Sequence, residues 1–179
     1  DYRRYNQSLN PDEPNQPIEE GTLFEVSAVN IEENENREPI PYVLPPGVNR
    51  EELFNNNTNI RQNEQSLSIR TCDLEPQDAR AVYKNFQVDM RQYKNLEMFL
   101  HAESFVNEIA LKDGQLIAFV RIGTDFTDNY YQIEVPLTAT LPGATSAEDI
   151  WPEANRLLLS LDLLQQVKTK VLGDPSLIP

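Results

Sequence analysis

Apolar and polar positions alternate in short runs along most of this chain, with a period of two rather than the 3.6 of an amphipathic helix. Leu23 to Val29 alternates well enough to predict a strand. Leu67, Ile69 and Thr71 predict the next, and Leu96, Met98, Leu100 and Ala102 share one face of a third, with Glu97, Phe99, His101 and Glu103 on the other. Leu116, Ala118, Val120 and Ile122 interleave with Ile117, Phe119 and Arg121, a pattern apolar on both faces that suits a central strand. The turn residues Lys112-Asp113-Gly114 precede it, and the polar run Gly123 to Asn129 follows it. Tyr131, Ile133, Val135 and Leu137 then point one way while Tyr130, Gln132 and Glu134 point the other, which predicts a hairpin.

Leu157, Leu159 and Leu161 predict a last strand. Asp162 is placed to cap a short helix that ends before Gly173 and buries Leu164, Val167 and Val171. The stretch Pro76 to Lys84 supports two assignments: Pro76 suits a first helical turn, and Ala81-Val82-Tyr83 suits a strand. Five or more short strands with one late helix and no β-α alternation predict a mainly β fold, a jelly-roll-like antiparallel β-sandwich over residues 67–179. Residues 1–66 read as an extended, proline-rich leader with a single strand. That leader carries thirteen acidic and five basic residues, and motifs such as Pro39-Ile40-Pro41, Pro45-Pro46-Gly47 and Asn55-Asn56-Asn57 favour arms and turns.

The chain has 179 residues, enough for one core without disulfides or metals. It starts at Asp1 rather than methionine, so the expectation is a piece of a longer exported protein. Fifteen Lys and Arg against twenty-nine Asp and Glu give a net charge of −14, without a basic stripe to neutralise phosphates. Nucleic acid is therefore excluded as a partner, and anionic lipid would be repelled. No apolar run approaches the ~20 residues of a spanning helix, so direct membrane insertion of this segment is not expected. Cys72 is alone, which leaves the redox compartment undetermined.

Candidate chemistry is sparse. His101 shares a strand face with Glu103, but one histidine and one cysteine do not make a zinc site. Asp125, Asp128 and Asn129 offer calcium-type oxygens in one loop, at a spacing that matches no EF-hand and that turn-forming residues explain without metal. There is no Gly-x-Ser-x-Gly and no phosphate-cradling glycine loop. The expectation is accordingly no catalytic residue, no cofactor and no metal. Trp151, before Pro152, reads as a packing residue, whereas Phe126 and Tyr130 are the candidate partner-contact residues.

The stretch Arg70 to Lys84 (Arg-Thr-Cys-Asp-Leu-Glu-Pro-Gln-Asp-Ala-Arg-Ala-Val-Tyr-Lys) closely resembles the SprA family, also called Sov. So do Asp89 to Phe99 with His101-Ala102-Glu103, Phe119 to Asp125, Asn129-Tyr130-Tyr131, Ile150-Trp151-Pro152-Glu153 and the leader's Pro41-Tyr42-Val43-Leu44-Pro45-Pro46-Gly47. The resemblance implies a place in the type IX secretion and gliding-motility machinery of Bacteroidetes, whose translocon is a very large outer-membrane β-barrel. This chain would be a soluble, non-catalytic scaffold or protein-contact insert of that translocon, on the cell surface or in the periplasm. Its partners would be other domains of the parent, secretion-system proteins and exported cargo. Tyr93-Lys94-Asn95-Leu96 leading into a core strand also resembles carbohydrate-binding jelly rolls, which makes a sugar-binding module the alternative and a hydrolase the third reading.

Overall fold

A computed structural model describes residues 2–6, 9, 21–55 and 58–174. The chain divides into two units that interleave along the sequence: Asp1–Arg37 with Asn49–Gln87, and Glu38–Val48 with Val88–Pro179. The fold is mainly β. Among the described residues the strands form five two-stranded ladders, all antiparallel.

The first unit is built on β2 (Leu23–Asn30) and its partner β5 (Gln65–Cys72), paired over their full length from Leu23↔Cys72 to Asn30↔Gln65. Directly opposed residues share a face, so Phe24, Val26 and Ala28 align with Thr71, Ile69 and Leu67 on one side. Glu25 and Arg70 oppose each other on the other side, 3.6 Å apart. Both strand assignments read from alternation are found. The ladder is extended at one end by Ile31 N–H donating to Glu64 O and closed at the other by Thr22 Oγ1 donating to Asp73 O.

A single helical turn, α1 (Ile31–Asn34), follows β2 because Asn30 caps it twice over: Oδ1 accepts from Glu33 N–H and Nδ2 donates to the Glu33 carboxylate. β3 (Glu52–Asn55) and β4 (Thr58–Arg61) form a hairpin inside a stretch whose Asn content argued against regular structure. Two terminal residues pair, Glu52 with Arg61, and their side chains form an ion pair at 3.2 Å. The undecided stretch before Lys84 resolves as strand: β6 (Val82–Tyr83) pairs with β1 (Arg3–Arg4), and Tyr5 packs edge-on to Tyr83.

In the second unit, β8 (Ile117–Gly123) and β9 (Tyr130–Pro136) make the expected hairpin, in register from Ile117↔Pro136 to Gly123↔Tyr130. Their shared face carries Val120, Ile133 and Val135 onto the buried leucines 157 and 159 of β10 (Leu157–Ser160). β10 pairs with β7 (Asn95–Met98), whose Leu96 joins the same cluster. Side chains from both ladders thus meet in one apolar cluster.

Three expectations are corrected here. The strand read from Leu96 to Ala102 stops at Met98, because its partner Leu157 is preceded by a 3-10 turn at Glu153–Asn155 and by Pro152, which lacks an N–H. Leu161 belongs not to β10 but to α3 (Leu161–Gly173), so the residue before the helix is Ser160 rather than Asp162, and Asp162 sits in the first turn. The helix also runs through Gly173, and Val167 is exposed while Leu164 and Val171 are half-buried. A further short helix, α2 (Ala147–Ile150), is capped by Ser146 and delivers Ile150 to the core. No helix among the described residues is long and apolar enough to cross a membrane.

Candidate functional site

The loop between β8 and β9 holds Phe126, and Tyr130 opens β9 at the end of that loop. Gly123 closes it: a Cβ there would lie 2.1 Å from Asn129 O and 2.6 Å from Tyr130 Cα, so only glycine permits this approach. Thr124 N–H donates to Asn129 O across the neck at 3.0 Å. Inside the loop Asp125 acts as the hub. Its Oδ1 accepts from the backbone N–H groups of Thr127, Asp128 and Asn129 at 3.1, 2.7 and 2.8 Å, and its Oδ2 accepts from Asn129 Nδ2 at 2.7 Å. These donors, led by the Asn129 and Asp128 amides, hold the Asp125 carboxyl well below the usual carboxylate range.

Arg121 supports the loop from the strand. Its Nη1 donates to Phe126 O at 2.6 Å, its Nε donates to Gln132 Oε1 at 2.5 Å, and its guanidinium lies 4.3 Å from the centroid of the Tyr130 ring. Gln132 is the residue directly opposite Arg121 in the ladder, so this fork follows from register. Phe126 and Tyr130 are thereby brought to one arginine, and both are half-buried. Tyr130 lies on the opposite face of β9 from Tyr131, as the alternation requires. Arg121 was not singled out from sequence; an arginine on a strand that is otherwise apolar was the available signal.

A second polar and aromatic cluster surrounds Trp151, which is buried. Its Nε1 donates to Val43 O at 2.9 Å, and its ring meets Tyr42 and His101 edge-on at centroid distances of 6.3 and 5.8 Å. His101 Nδ1 lies 2.8 Å from Ile150 O, which can only accept, so Nδ1 carries a proton and donates there. Thr140 Oγ1 lies 3.1 Å from the same nitrogen, and Nε2 is 3.2 Å from the Glu103 carboxylate. The His101–Glu103 proximity expected from sequence is present, though in irregular backbone rather than a strand. Thr140 N–H in turn donates to Ala102 O at 2.8 Å. Beside this cluster, the fully buried Asn155 clamps Thr138, its Oδ1 accepting from the N–H at 2.7 Å and its Nδ2 donating to the carbonyl at 2.9 Å.

Phe99 lies under the Arg156 guanidinium, 5.8 Å from its ring centroid. Arg156 also donates to Glu97 at 2.7 Å and pairs with Glu153, interactions that raise its pKa with Glu97 as the main cause. Cys72 is unpaired with any other cysteine and half-buried. Among the described residues no group of three or more His, Cys, Asp or Glu side chains is arranged to hold a metal ion.

No curated protein matches the chain. A family model does: SprA_N, described as motility related/secretion protein, matches residues 1–171, and the chain belongs to that family.

Proposed function

We propose that this chain is a non-catalytic protein-contact module of an outer-membrane export translocon of the type IX secretion and gliding-motility kind, with Phe126 and Tyr130 at its contact surface. The observation that carries the reading is the construction of the loop between β8 and β9. Asp125 satisfies three successive backbone amides, and Arg121 ties down Phe126 O and stacks on Tyr130, so the loop is set in shape before any partner arrives. Side chains with acid-base potential are engaged in the same way: His101 and Asp125 each spend their hydrogen-bonding capacity on the protein's own backbone and neighbours. This supports a scaffold role over a hydrolytic one.

The meeting of side chains from β8–β9 and β7–β10 at Leu157 and Leu159 supports reading the second unit as a jelly-roll-like sandwich that carries this loop. Its partners in this reading are other domains of the parent, secretion-system proteins and exported cargo, met on the cell surface or in the periplasm. A photo-crosslinking amino acid placed at position 126 of the full-length parent tests it in cells. Discrete protein adducts support the contact role; adducts to glycan alone, competed by free oligosaccharide, favour the carbohydrate-binding alternative.

A further inference from the structure

Residues Pro39 to Val43 lie in the second unit without belonging to any helix or strand, although the sequence on either side of residues 38–48 belongs to the first unit. Ile40 and Tyr42, two positions apart, are both buried, at 2% and 8% exposure, while Pro41 between them is half-buried. Two backbone carbonyls of this strap accept hydrogen bonds from the wall that holds it: Pro39 O from Gly143 N–H at 3.0 Å and Val43 O from Trp151 Nε1 at 2.9 Å. Extended backbone gripped through its carbonyls, with alternate side chains sunk into the receiving surface, is how folded domains recognise extended peptides.

The wall is tied together without the strap. His101 bonds to Ile150 O, Thr140 approaches the same histidine nitrogen, and Thr140 N–H holds Ala102 O. Ala102, Thr140 and Ile150 are buried in this wall with the strap in place. None of these bonds involves residues 38–48. A groove stiffened by its own contacts keeps its shape when its occupant leaves. Pro39 and Pro41 flank Ile40 and restrict the backbone there, so a segment of this kind loses little conformational freedom on docking.

We infer that this groove is a peptide-binding site, filled in cis by Pro39–Val43, that takes in trans an extended protein segment of the same chemistry: an aliphatic side chain and a tyrosine two residues apart, punctuated by prolines. The strap is then the resident competitor, and trans binding requires its release. The inference stands on the groove alone and is independent of the function proposed above.

The test uses the full chain with protease sites inserted after Arg37 and after Val48, cleaved only after folding, so that failure to fold is not an outcome. The probe is a fluorescently labelled peptide of residues 38–48, and Trp151, the sole tryptophan of the chain, reports occupancy by its emission. The cleaved protein is expected to exchange its severed strap for the labelled peptide saturably and return to the Trp151 emission of the uncut chain. A peptide with Ile40→Gly and Tyr42→Gly should bind at least about tenfold more weakly, and so should the native peptide on the uncut chain, where the tethered strap is present at high effective concentration. Retention of the severed strap without uptake of peptide, irreversible unfolding on cleavage, or equal binding to cut and uncut chains would each overturn the inference.

Discussion

Trp151 Nε1 donates to the carbonyl of Val43 across 2.9 Å, joining positions 108 residues apart in sequence. The indole is buried against Tyr42 and His101, so this bond lies in an apolar setting where a lost partner is not replaced by water. Trp151→Phe keeps an aromatic ring but removes the donor and part of the volume. It should lower the unfolding free energy by roughly 1–3 kcal/mol in urea denaturation. A loss within the scatter of surface substitutions would mean that the strap contributes little to the second unit.

Asn155 is the most buried polar residue of the described chain, and both ends of its amide serve Thr138. Asn155→Ala leaves both the N–H and the C=O of the half-buried Thr138 without their amide partner. The expected cost is about 2–6 kcal/mol, at roughly one to three for each orphaned group, read as a fall in melting temperature. Asn155→Asp should fare no better, since the carboxylate cannot donate to Thr138 O and would be charged in a fully buried place.

How much of this was legible in the sequence depends on the range of the contact. The β8–β9 hairpin was readable because alternation, the turn around Gly114 and the polar run 123–129 are all local signals, and Gly114 does adopt a positive φ. The end of β10 is ambiguous in sequence for a local reason too: Leu161 continues the period-two pattern of Leu157 and Leu159, yet a buried first residue fits the start of α3 equally well. The strap was not legible as core. Its prolines argue for an exposed arm, and what buries Ile40 and Tyr42 lies about a hundred residues away, beyond any local period. At the β8–β9 turn, Phe126 and Tyr130 can be chosen by residue type, but their common support by Arg121 requires the strand register.

Gly123→Ala places a methyl carbon against the Asn129 carbonyl and the Tyr130 backbone, neither of which can swing aside. The hairpin neck must open. Destabilisation of at least about 2 kcal/mol is expected, together with lost protection of the Thr124 amide in hydrogen exchange. An alanine variant with the wild-type melting temperature would contradict the tight neck.

Asp125 gives the loop a defined pH response. Its folded-state pKa is depressed, so the stability it contributes is fully present above the ordinary carboxylate value and is lost as pH falls toward the folded value. The melting-temperature difference between the native chain and Asp125→Asn should therefore be constant from about pH 5 to 8 and shrink only below about pH 4. A difference that already varies between pH 5 and 7 would show that Asp125 is not the hub the geometry makes it.

The most direct measurement of the contact-module account is export of a reporter cargo, with gliding scored in parallel, from cells whose full-length parent carries Phe126→Ala with Tyr130→Ala. Ile133→Asp buries an unpaired charge in the second unit and serves as the unfolded control, and Glu103→Gln serves as the carboxylate control. Parent abundance is followed by immunoblot. The account predicts that export falls in the double alanine variant while the parent stays abundant, falls with loss of parent in Ile133→Asp, and is unchanged in Glu103→Gln. Normal export by the double alanine variant, or arrest by Glu103→Gln in a folded and abundant parent, would contradict it.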